Sequence, residues 1–505
     1  MKTLLLFPNQ LFNIDIIKNT IKENDIDNII LYEHPKYFEE YNYHKSKLVF
    51  HRSTMCSYFD MLEQKKYKIK YIEYHEKFDI KTDIIMFDPT DFDIEKQMKN
   101  FTKKHKLNLN ILESPLFIFT KSELETYIKT TDKPYFNATF YKWARQTKNI
   151  LMNGKNPVGG KWSFDTENRL PFEKSYEEKE IKFINNKYIK EATTYVEKNF
   201  PNNPGNINIF LPITHKDAKE YYEVFLKERL KNFGAYEDAI SDKVMIGYHS
   251  GISALLNIGL LDPLEVIEKA VAKTNTVKIQ SIEGFIRQIL SWREYVRLLY
   301  IKEHLKFNKM NFLNHTHKLK NIWYTGDTKI VPVDNVIKKA LTISYAHHIE
   351  RLMIIGNFML LMMIKPKDIL KWFLEIISID AYEWVMEPNV YGMSQHSVGQ
   401  LMMNRPYFSS SNYIFKMSSY KKSDVYDKIK LGDDEYEWYE IWDALYYNFI
   451  NHHKTYLKSI YATANSVYIL NKKSDGEKKK MFKIAKLYLD KYYTFSLKKW
   501  DIRLK

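Results

Sequence analysis

The spacing of apolar and polar positions changes character partway along the chain. Over the first 120 residues, short apolar runs alternate with amphipathic stretches. Residues 3–7, 28–32, 47–50, 69–74 and 83–87 have the length and the β-branched or aromatic content of strands, and 14–23 and 58–65 have helical spacing. Strands alternating with helices predict a parallel sheet, with ligands bound at the carboxyl ends of the strands. From about His215 the period becomes helical: 215–233, 263–272, 282–303, 335–363 and 367–376 carry apolar residues at i and i+3 or i+4. The stretch between is turn-rich, with a charged run at 173–180 and Pro201-Asn202-Asn203-Pro204-Gly205. The expected architecture is an α/β N-terminal domain with a Rossmann-like parallel sheet (1–136), a connector (137–212) and a large all-α C-terminal domain (213–505).

Composition narrows the classes. At 505 residues, 45% hydrophobic and 15% aromatic, the chain has material for a substantial core. The formal charge of +15 favours a polyanionic partner. The single cysteine, Cys56, excludes an internal disulfide framework, a cysteine-based zinc site and a protein-ligated iron–sulfur cluster. The opening MKTLLLFPNQLF has too short an apolar run for a secretory signal and reads as a first strand. The longest uncharged apolar stretch, 352–364, is interrupted by Gly356 and Asn357 and is too short to span a bilayer, so a soluble intracellular protein is expected. No GxGxxG follows the first strand, which argues against an ordinary NAD site. Gly159-Gly160-Lys161 misses phosphate-loop spacing by one residue and has Trp162 in place of the hydroxyl, so it reads as a turn.

Four segments carry candidate chemistry. In 282–300, a helix puts Ile286, Ile289, Leu290, Val296 and Leu299 on one face, flanked by Arg287, Gln288, Trp292, Arg293 and Glu294. That set suits a flat polar ligand, with Trp for stacking and Arg for phosphate, and it equally describes an amphipathic helix with a solvated face. Ser250, Gly251 and Ser253 precede a helix and suit either phosphate contact or simple capping. In Tyr345-Ala346-His347-His348-Ile349-Glu350-Arg351-Leu352, adjacent histidines point about 100° apart on a helix and do not share a metal. His348 shares a face with Leu352, and His347 with Arg351, positions suited to proton transfer or to ordinary packing. The segment from Asp380 to Asn389 gathers Glu383, Glu387 and aromatics, followed by Met393, Tyr407 and Tyr413; it reads as a stacking surface for bases or as an irregular loop over a core.

Taken in order, these segments resemble the photolyase–cryptochrome superfamily, in particular the branch of prokaryotic (6-4) photolyases and iron–sulfur bacterial cryptochromes. The similarity runs from residue 7 to residue 446. Its most specific pieces are GGKWSFDTEN (159–168), EGFIRQILSWREY (283–295), YAHHIERLMIIGNF (345–358) and residues 381–395. The resemblance implies a helical domain that encloses FAD. It matches Ser250, Gly251, Ser253, Gln288, Trp292, Arg293 and His347, with Asp380, Glu383, Glu387 and Asn389, to the flavin surroundings. It implies His348 as proton donor, Leu352, Met393, Tyr407 and Tyr413 as the lesion pocket, and Trp372, Phe373 and Trp323 as positions of the photoreduction chain, with Phe373 where the family more often has Tyr. An N-terminal antenna chromophore, 6,7-dimethyl-8-ribityllumazine, is implied, with Glu33, Phe38, Met55 and Asp88 at plausible strand ends. The function implied is light-driven repair of (6-4) photoproducts in UV-damaged DNA by a monomeric enzyme without membrane attachment; the alternative is an FAD photoreceptor without repair activity.

The largest departure concerns the family's cluster cysteines, whose positions fall on Pro332, Lys421, Asp424 and Glu440. None of these ligates iron in the family's manner, so no [4Fe–4S] cluster is expected.

Overall fold

The computed structural model describes residues 1–167 and 169–494. Asn168, which ends the GGKWSFDTEN piece, and the segment 495–505 with Trp500 lie outside the described residues.

Five strands, β1 (Lys2–Leu6), β2 (Asn28–Tyr32), β3 (Ile69–Ile72), β4 (Asp83–Phe87) and β5 (Leu109–Leu112), form one sheet of order β3-β2-β1-β4-β5. All pairs are parallel, with Leu4 opposite both Ile29 and Ile85. The helices α1 (Ile14–Asn24), α2 (Lys45–Gln64) and α3 (Phe92–His105) supply crossovers, as parallel neighbours require. The strand order reverses between β1 and β4, where α/β sheets open a crevice. Here that crevice is stitched: Gln10 Nε2 donates to Phe87 O (3.1 Å) and Asp88 O (3.3 Å), and Asn9 Nδ2 donates to Pro89 O (3.4 Å).

Two expectations are corrected. Residues 47–50 are not a strand but part of α2, whose first turn is capped by His44 Nδ1 accepting from Ser46 N (3.0 Å). From Ser46 to Met55 this helix is buried on every side. It touches the helix Lys187–Asn199 through Arg52 and Glu191 and the helical half through His51 Nε2 and Tyr382 OH (2.9 Å). A helix buried all round loses its polar stripe, and a four-residue apolar run inside it mimics a strand. The fifth strand is instead β5, a four-residue edge strand with no fully buried residue, whose run Leu109-Asn110-Ile111-Leu112 is short and broken by Asn110. Likewise 335–363 is not one helix. Val331–Ile343 ends at Ser344 in the left-handed region (φ 58°), and helical structure resumes at His348. Ser344 O accepts from Ile379 N (3.2 Å), so the interruption is held by the Asp380 segment.

The remainder is helical apart from short two-stranded hairpins, one of which pairs Ile429–Leu431 with Asp434–Tyr436. Buried apolar side chains run continuously from the sheet into the helices, and Trp323, Trp372, Trp384, Trp438 and Trp442 are fully buried. Among the described residues no helix is long and apolar enough to cross a membrane.

Candidate functional site

Three helices widen into π-helical turns, at Arg287–Arg293, Glu350–Gly356 and Pro388–Ser394. Such turns are rare and frequently mark functional sites. Each carries residues singled out above: Gln288, Trp292 and Arg293 on the first, Leu352 on the second, Asn389 and Met393 on the third. Trp292 Nε1 donates to Asn389 Oδ1 (3.1 Å), tying the first to the third. At Gly356 the second and third come so close that an added Cβ would lie 2.6 Å from Ser394 Oγ.

Asp380 is the hub. Its Oδ2 accepts from Ser253 Oγ (2.5 Å) and from Arg351 Nη2 (2.9 Å), and its carbonyl accepts from Asn257 Nδ2 (2.9 Å). Asn257 Oδ1 accepts from Arg293 Nε (3.2 Å), and Arg293 Nη1 donates to Leu116 O (2.6 Å). Arg293 also lies over the rings of Phe117 (4.6 Å) and Trp384 (5.0 Å), and its burial pushes the guanidinium down to about 10. Ser253, Asp380 and Arg293 thus come together, joined by Asn257 and Arg351. Neither of these two stood among the candidates, although Asn257 is one turn beyond Ser253 and Arg351 was read on the same face as His347. Asp380 Oδ1 and Arg293 Nη2 are buried without a hydrogen bond among the described residues. Orphaned donors and acceptors of this kind are costly unless a polar ligand completes them. Beside them Gly251 adopts φ +69°, and a Cβ there would lie 2.7 Å from Tyr221 Oη; Ser250 O accepts from Arg229 Nη2 (3.3 Å). A side chain there would sit on a left-handed backbone and require the outer end of Tyr221 to move.

The two histidines differ. His347 is buried and stacked on His249 (4.6 Å, 14°), and neither of its ring nitrogens makes a hydrogen bond among the described residues; Nε2 lies 3.4 Å from Glu350 Oε2. Burial holds His347 well below the ordinary histidine range and His249 down to about 3. His348 is exposed to solvent, yet surrounding protein, with Arg351 and Arg287, pushes it down to about 4 against the opposing charge of Asp165. Arg287, which is bonded to Glu283 (3.2 Å) and Asp165 (3.2 Å), is one of the charged neighbours of His348. Nearby Asp238 is pushed up to about 6 by burial and by Asp165. Leu352 and Met393 are buried, Gln288, Tyr407 and Tyr413 are half-buried, and Arg405 lies 4.9 Å over the Tyr407 ring.

Glu383 and Glu387 do not join Asp380. Glu383 pairs with Lys36 Nζ (3.1 Å), which also reaches Asp91 (3.2 Å) and Asp93 (3.0 Å); burial and Asp91 hold Glu383 above the ordinary carboxylate range. Asp91, Asp93 and Glu383 have metal-ligand spacing, but the Lys36 ammonium sits among them. Glu387 accepts from Asn308 Nδ2 (3.0 Å) and lies 2.7 Å from His304 Nδ1. Both glutamates brace the helical half, Glu383 directly against the sheet half.

The antenna set also separates. Glu33, Phe38 and Met55 gather around Tyr71 and Tyr74, beside a cavity of about 340 Å³ lined by Arg52, Cys56, Tyr71 and Glu73. Asp88 lies elsewhere, with Lys121 (3.0 Å) and Arg297 (3.8 Å). The Glu33 carboxylate is fully occupied by Arg52, Tyr71, Tyr195 and the Tyr74 amide. These residues do not fit a lumazine as its binding set.

Trp372 Nε1 donates to Trp323 O (2.8 Å), their rings lie 6.3 Å apart, and Phe373 lies 5.2 Å from Trp372. At the cluster-cysteine positions, Pro332 is buried at a helix start and Asp424 Oδ2 accepts from Lys421 N (2.8 Å). Glu440 Oε2 accepts from Glu437 N (3.0 Å) as half of a capping box.

Comparison with known proteins places this geometry. The family of deoxyribodipyrimidine photo-lyase-related proteins matches residues 4–211. A (6-4) photolyase of Agrobacterium fabrum is 34% identical over 456 residues, covering 86% of this chain and 88% of that enzyme. Among solved structures, the Synechocystis sp. PCC6803 cryptochrome superposes with a TM-score of 0.55 at 14% identity, over 83% of this chain and 88% of its own. An archaeal photolyase from Sulfolobus tokodaii, solved with two FAD molecules, gives 0.51 at 12% identity over 83% and 87%. These two share the fold.

Proposed function

The chain belongs to the photolyase–cryptochrome superfamily, and from that membership we propose that it is a light-driven photolyase that holds FAD and repairs pyrimidine (6-4) pyrimidone photoproducts in UV-damaged DNA. The observation that carries the reading is a solvent-exposed His348 whose charged neighbour Arg351 is bonded to Asp380 in an incompletely satisfied polar network with Ser253, Asn257 and Arg293. Orphaned Asp380 Oδ1 and Arg293 Nη2, together with the side-chain-free turn at Gly251, fit a phosphate- and amide-bearing cofactor. When bound, reduced and photoexcited, FAD supplies a one-electron donor.

The chain's own residues have three tasks. Ser253, Asp380 and Arg293 hold the cofactor, and the Trp292–Asn389 bond fixes the wall beside it. Buried Leu352 and Met393 exclude water, and half-buried Tyr407 and Tyr413 offer faces to an extruded dinucleotide. His348 moves a proton at an imidazole nitrogen. Burial, with Arg351 and Arg287 nearby, holds the proton affinity of the free ring down. Phosphodiester anions bound beside it would offset those two guanidiniums and raise that affinity. The reading includes no iron–sulfur cluster, since Pro332, Lys421, Asp424 and Glu440 stand at the ligand positions.

Illumination of the flavin-loaded protein with a (6-4)-lesion oligonucleotide tests this. Loss of the lesion's near-ultraviolet absorbance, slowed about 10²- to 10⁴-fold in His348→Ala, supports the reading. An unchanged lesion under light that reduces the flavin overturns it in favour of a photoreceptor. Stoichiometric iron in the purified protein refutes the cluster-free claim.

A further inference from the structure

The ring contacts do not stop at Trp323. Phe358 lies 6.1 Å from Trp323 and 4.8 Å from Trp442, Trp442 lies 6.4 Å from Trp438, and Trp438 lies 6.0 Å from Tyr426. The four indoles are fully buried and Tyr426 is half-buried, so the row runs from the interior to the surface. At its end the Tyr426 hydroxyl is 2.9 Å from Asp424 Oδ2, with Lys421 O as second acceptor at 3.1 Å. Asp424 is exposed. An aromatic core by itself accounts for touching rings. It does not account for a carboxylate on the hydroxyl of the outermost phenol, which is what a tyrosine needs to give up an electron and a proton together.

We propose that this row is an electron-entry route, with the Tyr426–Asp424 pair as its outer terminus and a small diffusible thiol or enediol as its external reductant. The proposal rests on the flavin reading above. With FAD bound, light would draw one electron from Trp372, and the hole would move to Trp323, across Phe358 to Trp442, and on to Trp438. Phe358 is the spacer, because a phenyl ring is not oxidised under these conditions. Tyr426 then fills the Trp438 hole, losing one electron, while its phenolic proton goes to Asp424 Oδ2. A thiolate in solution gives the Tyr426 radical one electron and becomes a thiyl radical, the proton returns from Asp424, and after two such events the two thiyl radicals couple to one disulfide. The site lies where the resembled branch has its cluster ligands: Asp424 and Lys421 occupy two of those positions, and Phe373 closes the position where the family more often has an oxidisable Tyr.

The rival terminus is Tyr324, next to Trp323 in sequence, whose hydroxyl donates to buried Glu375 Oε2 (2.7 Å). Flash photolysis of the oxidised holoprotein separates the two by following the neutral tyrosyl radical and the rate of flavin reduction by added thiol. In Tyr426→Phe the tyrosyl signal should vanish and thiol-driven reduction should slow. In Trp438→Phe a tryptophan radical should remain without a tyrosyl one, and in Asp424→Asn the tyrosyl yield should drop. Flavin absorbance and circular dichroism, unchanged in each variant, exclude misfolding as the cause. A tyrosyl signal that survives Tyr426→Phe, or that is lost only in Tyr324→Phe, overturns the proposal and leaves the flavin reading standing. A protein that retains no flavin overturns both.

Discussion

Two buried carboxylates, one in each half of the molecule, are held by arginine and end differently. Glu33, in the sheet half, has both oxygens occupied: Arg52 Nη1 (3.0 Å), Tyr71 OH (2.6 Å), Tyr195 OH (2.8 Å) and Tyr74 N (3.2 Å) saturate it. Asp380, in the helical half, directs two donors onto Oδ2 and leaves Oδ1 without a partner among the described residues. A closed network has nothing left to offer a ligand, whereas an open one is stabilised by binding. The residue types alone do not distinguish these cases, because both are acids beside arginine and aromatics.

The contrast is broken or sharpened by four measurements, of which the three variants stand in falling order of expected effect. Asp380→Asn leaves Arg351 uncompensated at the open site, a change of about 3–5 kcal/mol that should weaken flavin retention by on the order of a hundredfold or more. The flavin-to-protein absorbance ratio after gel filtration reads this, and unchanged retention with a lowered melting temperature would make Asp380 as structural as Glu33. Glu33→Gln should lower stability by about 3 kcal/mol in urea unfolding at normal flavin content; the low end of the buried-pair range applies because Arg52 keeps Glu73 (2.9 Å) and Glu191 (2.8 Å). Loss of flavin in that variant would erase the distinction.

The third measurement is acid unfolding. Burial holds His34 and His44 down to about 4 in the sheet half and His249 down to about 3 in the site. The unfolded chain binds protons near pH 6.5 that these folded rings refuse. Their contribution is therefore complete above pH 6.5 and is lost as pH falls toward 4, by up to about 1.4 kcal/mol per ring per pH unit. Glu33 works the other way, since burial outweighs Arg52 and holds it above its usual range, so its protonation in acid is not the weak point. Flavin release and loss of circular dichroism should coincide, because such rings lie in both halves; release well above the unfolding pH would assign the sensitivity to the site alone. Smallest is Gly251→Ala, where the left-handed backbone costs about 1–2 kcal/mol and Tyr221 must also shift. A several-fold weaker flavin retention is expected, and unchanged retention would remove that turn from the site.

Much of this was legible in the order of residues, and the failures share a cause. The switch from strand to helical period located the two halves, and four of the five strands followed from apolar runs bounded by turn residues. The misread strand at 47–50 and the missing break at Ser344 both lie where burial on all sides removes polar punctuation. Ser253, Asp380 and Arg293, which the resemblance matches to the flavin surroundings, lie together, whereas Glu383 and Glu387, matched there with them, are turned by the helix beyond Tyr382 toward Lys36, Asn308 and His304. The π turns left no signal, because one extra residue per turn hardly disturbs an i, i+3/i+4 pattern.

Each wide turn takes up one residue more than an ordinary turn. Removing one residue from Arg287–Arg293 would let that stretch close as an ordinary helix with its flanks near their present places, while the side chains on the turn itself shifted to new positions and the Trp292–Asn389 bond would no longer close. The site is therefore indexed, like a combination of three dials, by residue count as much as by residue identity. A single-codon deletion there should be more damaging than substitution of any one side chain it displaces.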